Sequence, residues 1–188
     1  MKKLNKITAG LACLALSAGV VAQGVTDDEV LLGTSTALSG PAALWGVAAS
    51  QAAQIRFDMV NENGGVHGRQ IRVVLEDHQY QVPIHVKAMN KLLNLDKVFA
   101  TFNVLGTPMN LATAETQFAK NVPMLLPMTT AHSVQDPEHD LKLTFGSSYY
   151  NQIRFAVGHF LATGRTSACV MYQDSAYGAE VLEAVTDE

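Results

Sequence analysis

The chain has 188 residues, with 13 Lys and Arg against 17 Asp and Glu and a formal charge of −4. That length is enough to bury a substantial core unaided, and the acidic balance argues against nucleic acid or an anionic membrane surface as a partner. Its two cysteines, Cys13 and Cys169, provide no disulfide framework.

The first residues set themselves apart. MKKLNK is a basic n-region and ITAGLACLALSAGVVA an apolar h-region rich in small residues, the pattern of a secretory signal peptide over residues 1–22. Val20 and Ala22 suit the −3 and −1 positions of a signal peptidase, so cleavage is expected after Ala22, with Gly19 as the alternative end. The run is short for a membrane anchor, and Gly10 stands where lipidation of Cys13 would want a branched apolar residue. Cleavage leaves 10 basic residues (13 less Lys2, Lys3 and Lys6) against 17 acidic ones, a charge of −7, with Cys169 alone. No second apolar run approaches the roughly 18 residues of a membrane span, so a soluble periplasmic product is expected.

From Val30 the chain alternates between two kinds of segment, as βα units of a mostly parallel sheet do. VLLGTSTAL reads as the first strand. A helix from about 43 to 61 places Val47, Ala48, Ala52, Ile55 and Met59 on one stripe, and NENGG stops it. QIRVVLED is the second strand. A helix beginning near Pro83 repeats Ile84, Ala88, Leu92 and Leu95 at spacings of three or four. VFATFNVL is the third strand, followed by a helix with Thr107 as N-cap and Pro108 at N1. VPMLLPM is the fourth strand. A polar loop, TTAHSVQDPEHD, precedes a short extended piece at LKLTFG, a helix over about 149–163, a buried strand SACVMYQD, and the start of a last helix.

Catalytic motifs are few. G-x-S-x-G, the P-loop and H-E-x-x-H are all missing, and the glycines of GGVHG follow a helix instead of joining a strand to one, against a dinucleotide fingerprint. His132 and His139 share one loop without metal-ligand spacing. Glu76, Asp77 and His78 close a strand at its carboxyl end and leave a small α/β enzyme as one rival. In an open parallel sheet, ligands bind outside the carboxyl ends of the strands. The loops there offer the Trp45 indole, Gly106, Thr107, the helix amides behind it, and Met128, Thr129 and Thr130. Hydroxyls, unpaired amides and an aromatic wall suit a small anion with an apolar body. Each residue also has a plainer role, as cap, loop residue or helix packing.

Taken together, LSGPAALWG, VNENGGVHGRQIRVVLED, GTPMNLA, NVPMLLPMTT and YQDSAYGAEV resemble the type I periplasmic substrate-binding proteins over residues 28–188. More narrowly they look like the leucine/isoleucine/valine-binding group that serves ATP-driven (ABC) importers. The most specific signal is S-G-P-x-x-x-x-G followed by N-x-x-G-G-[IV]-x-G-R. The resemblance implies Rossmann-like three-layer α/β lobes, a ligand caught in the cleft, hinge closure, and display of the closed form to a membrane permease. It implies no catalysis and no cofactor. By motif, Trp45 matches an aromatic that touches the ligand, and Thr107 or Gly106 a carboxylate contact. Met128, Thr129 and Thr130 match the segment that holds the α-amino and α-carboxylate groups, Tyr177 a tyrosine lowered from the second lobe, and Tyr150 a residue near the first crossover.

The chain departs from that pattern where Leu105-Gly106-Thr107-Pro108 replaces a run of small hydroxyl residues, where Met128 replaces a small residue, and in lacking the second-lobe acid that pairs with an ammonium group. An amino acid, an aliphatic or aromatic carboxylate, and a small amide all remain open as ligand. Residues 28–148 are expected to form the first lobe and 149–188 the crossover and the opening of the second, so that the chain is an N-terminal fragment that binds weakly by itself. The rivals are a complete one-domain flavodoxin-like protein and a ligand-sensing module of the same fold.

Overall fold

The computed structural model describes residues 22–188. The expected leader, 1–22, lies outside the described residues except for Ala22. Five parallel strands form one sheet in the order β2-β1-β3-β4-β5. β1 (Glu29–Thr36) and β2 (Gln70–Asp77) pair along their whole length, from Glu29 opposite Gln70 to Thr36 opposite Asp77. β3 (Ala100–Phe102), β4 (Met124–Leu125) and β5 (Lys142–Leu143) are shorter than their apolar runs, because pairing ends where the chain leaves for the next helix. Leu31, Leu32 and the rest of the strand to Thr36 are buried, as a strand covered on both faces must be.

Alternation along β1 sorts the layers. Leu31 and Ser35 face α2 (Val82–Lys91) and α3 (Thr107–Phe118), whereas Thr34 faces α1 (Ala43–Glu62). The main core gathers Leu31, Met89, Leu92, Leu93, Val98 and Val122, and a second cluster unites Met124, Ala131 and Val134. Burying a side chain such as Met89 or Leu92 contributes about 1.5–3 kcal/mol. The C-terminal end of α1 is fixed by polar contacts as well. Asn61 donates to the Ile71 carbonyl at 2.9 Å and accepts the Ile71 amide at 2.8 Å, which aligns the helix end with the start of β2.

Four expectations need correction. The stripe Val47, Ala48, Ala52, Ile55, Met59 does not face the sheet: Ile55 and Met59 are exposed. Gly46, Ala53, Phe57 and Val60 have the same helical spacing, and the edge-to-face packing of Phe57 on Phe102, 5.3 Å between centroids, sets the rotation instead. Leu95 is exposed because α2 continues into a π-helical turn, Leu92–Asp96, that shifts the register of the stripe. The N-cap of α3 is Gly106, one residue before Thr107. SACVMYQD forms no strand, since no other described segment pairs with it; Cys169 and Met171 are exposed. The remaining elements are α4 (His132–Gln135), α5 (Tyr149–Ala162) and α6 (Ala176–Thr186). Among the described residues no helix is long and apolar enough to cross a membrane.

Candidate functional site

With every strand parallel, all carboxyl ends meet one edge, and the chain leaves β1 and β3 toward opposite faces of the sheet. Such a switch point opens a crevice between the strand-end loops. A cavity of about 810 Å³ lies there.

Its walls are built loop by loop. After β1, the turn at Ser39-Gly40-Pro41 is gripped by Asp77 at the end of β2: one carboxylate oxygen accepts the Ser39 hydroxyl at 2.6 Å and the other the Leu38 amide at 2.9 Å. This delivers Pro41, Ala42 and Trp45 to the cavity. After β2, Gln79 and Tyr80 both adopt positive φ, 53° and 58°, a conformation that costs energy for residues with a β-carbon. The Asp77 carboxylate accepts the Gln79 amide, and His78 Nδ1 accepts the Tyr80 amide, both at 2.9 Å. Nδ1 thus acts as acceptor, so the His78 proton is on Nε2, which donates to the Leu105 carbonyl at 3.1 Å. Burial holds His78 below its ordinary pKa and neutral.

After β3, Gly106 turns with φ 105°, and its bare α-carbon leaves room for the Tyr80 ring; a β-carbon there would stand 3.2 Å from Tyr80 Cε2. Asn110 secures the turn by donating to the carbonyls of Val104 and Gly106. The Thr107 hydroxyl is paired with that of Thr129 at 2.7 Å. The amides of Thr107 and Met109 have no hydrogen-bond partner among the described residues, and Pro108 between them has no amide hydrogen to offer. The fourth wall comes from α5 and α6, each N-capped by a serine, Ser148 and Ser175. Tyr149 and Tyr177 meet edge to face, 5.1 Å between centroids. One carboxylate secures both helices. Glu180 of α6 is buried and accepts the His132 amide at 3.1 and 3.0 Å and the Tyr150 amide at 2.9 Å.

Seven of the eight expected site residues line this one cavity: Trp45, Gly106, Thr107, Met128, Thr129, Thr130 and Tyr177. Trp45 is 65% exposed, so it is no core anchor. Tyr150 lies elsewhere. Its hydroxyl donates to Asp187 at 2.7 Å, and its neighbour Tyr149 takes the place on the cavity wall, because α5 starts at Tyr149 and turns successive residues by 100°. Tyr80, Phe145, Gln152 and Gln173 were not expected. Tyr80 escaped because two successive left-handed residues follow no periodic pattern. Tyr149 was within reach, since Ser148 reads as an N-cap.

Among the described residues no charged side chain lines the cavity. Glu76, Asp77 and His78, the candidates for general-base chemistry, are all engaged in the framework; Glu76 pairs with Lys91 at 2.7 Å. Burial works against the Asp77 charge, but the Ser39 hydroxyl and the amides of Gln79, Leu38 and Ser39 outweigh it and hold the carboxyl below its ordinary value. His132 and His139 do not meet: His132 Nδ1 lies 3.3 Å from Glu180, whereas His139 stacks on Phe118.

The family model of periplasmic binding proteins matches residues 29–188. No curated protein sequence matches. Among solved structures, a substrate-binding periplasmic protein from Ralstonia solanacearum is 29% identical with a TM-score of 0.77, covering 84% of this chain and 44% of its own. A fatty acid ABC transporter substrate-binding protein from Thermomonospora curvata is 26% identical with a TM-score of 0.78, covering 88% and 42%. A branched-chain amino acid transporter substrate-binding protein from Streptococcus pneumoniae, in complex with isoleucine, shares the fold at 21% identity and a TM-score of 0.73, covering 85% and 46%. The chain thus spans less than half the length of each of these proteins.

Proposed function

We propose, from the premise that this chain belongs to the periplasmic binding protein family, that it serves in an extracytoplasmic solute-binding protein delivering a branched-chain or related hydrophobic amino acid to an ABC importer. The observation that carries this is the cavity at the β1/β3 switch point, with aromatic and apolar walls and, among the described residues, unpaired amides at the start of α3 and no charged side chain. Such a surface receives a carboxylate through neutral donors and a helix N-terminus, and covers an aliphatic side chain with Trp45 and Phe145.

In this reading Gly106, Thr107, Met128, Thr129 and Thr130 contact the ligand's polar end, Trp45 its side chain, and Tyr177 closes over it from α6. Residues 28–148 make the first lobe and 149–188 the crossover and the opening of the second. The partner is a membrane permease, no cofactor takes part and no reaction is catalysed. Transport is favoured over sensing by the transporter neighbours from Thermomonospora curvata and Streptococcus pneumoniae.

A second ligand class, a fatty acid, is favoured by the Thermomonospora neighbour. Titration calorimetry of the full-length protein with leucine, isoleucine, valine and octanoate separates the two. Micromolar binding of a branched-chain amino acid is expected; heat with octanoate alone would reassign the ligand, and heat with none of the four would reject both classes.

A further inference from the structure

The Tyr80 ring lies in the cavity for reasons that neither strand nor helix formation supplies. Two successive left-handed residues bring it there, Asp77 and His78 side chains hold those residues by their amides, and a β-carbon on Gly106 would stand 3.2 Å from both the ring and Met109 Sδ. Backbone strain that is secured by two side chains is a built feature. Tyr80 shares the cavity with Tyr149 and Tyr177, and none of the three hydroxyls has a hydrogen-bond partner among the described residues. Burial foremost, and the neighbouring Tyr177 and Tyr149, push the Tyr80 phenol above its ordinary pKa, so it stays a protonated donor. Tyr80 and Tyr149 are half-buried and Tyr177 more exposed, and their O–H groups, with no internal acceptor, are free to donate to a ligand.

We propose that Tyr80 is a specificity-determining residue of the cleft, its hydroxyl donating to the carboxylate or carbonyl oxygen of the bound ligand alongside Tyr149 and Tyr177. The neutral donor selects for the ligand's acceptor group and is indifferent to an ammonium group. This rests on the solute-binding function proposed above. It also assigns a purpose to Asp77 and His78: they hold the two-residue turn that aims Tyr80.

The test is calorimetry of the full-length protein and its Tyr80→Phe variant with two probes, leucine and 4-methylpentanoate, the same skeleton without the amine. The substitution keeps the ring against Gly106 and removes only the donor. Affinity for both probes should fall by the same factor, roughly tenfold or more, with the melting temperature unchanged. Equal affinity in the variant overturns the assignment while leaving the solute-binding function standing, and so does a loss confined to leucine, which would place the hydroxyl at the amine. A variant that no longer folds shows the hydroxyl to be structural and overturns it too. Wild-type protein that binds neither probe overturns this assignment together with the amino-acid ligand on which it rests.

Discussion

The Ser39 hydroxyl donates to the Asp77 carboxylate at 2.6 Å, and through that contact the loop after β1 and the loop after β2 become one unit. The same side chain also accepts the amides of Leu38 and Gln79. Replacing Asp77 with Ala releases the turn that carries Trp45 and the turn that carries Tyr80 together. Denaturant titration should show a loss of about 1–3 kcal/mol, and ligand affinity should fall although Asp77 lines no part of the cavity.

Gly46 in the first turn of α1 crosses the end of β1 so closely that a β-carbon would overlap the Ala37 carbonyl. That neighbour is backbone and cannot swing aside. Gly46→Ala should therefore lower stability by roughly 1–3 kcal/mol, despite the better helix propensity of alanine. Because Trp45 is the adjacent residue, calorimetry should show weaker ligand binding as well.

Trp45 presents a different balance. With most of its surface open to solvent, it contributes little to folding. Trp45→Ala should leave stability within about 1 kcal/mol of wild type while reducing ligand affinity by roughly tenfold or more. Stability lost without a change in affinity would return the indole to a packing role.

His85 is fully buried between β1, α2 and α3. Thr113 donates its hydroxyl to the Met109 carbonyl, so its oxygen accepts from His85 Nε2, and Nδ1 accepts from Ser35. Burial, and then the nearby His78 ring, push His85 down to about 3. The unfolded chain takes up a proton near pH 6.5 that the folded protein refuses. The stabilisation from neutral His85 is complete above that pH and is lost as pH falls from 6.5 toward 3, at up to about 1.4 kcal/mol per pH unit; His78 is displaced in the same direction and adds to the slope. Melting temperatures across that range should show the decline, and His85→Gln should flatten it.

Much of this was legible before folding. QIRVVLED became β2 to the residue, and the helices expected from about 43 and about 149 begin at Ala43 and Tyr149. The strand ends converged as a parallel sheet requires, which brought Trp45 beside Thr107 and Thr130. Helix rotation was not legible for α1, because alanine-rich rows on two sides have equal spacing and only the partner Phe102 distinguishes them. Tyr80 was hidden for a related reason: its direction comes from side chains bonding to backbone two residues on, a contact with no periodic trace.

Glu180 collects the amides of His132 and Tyr150 on one buried carboxylate. A buried carboxylate stripped of its donors is costly. Helix α6 is therefore tied at one side chain both to the segment after β4, through His132, and to α5, through Tyr150. Tyr177, three residues before Glu180 on the same helix, has its place on the cavity wall set by that anchor.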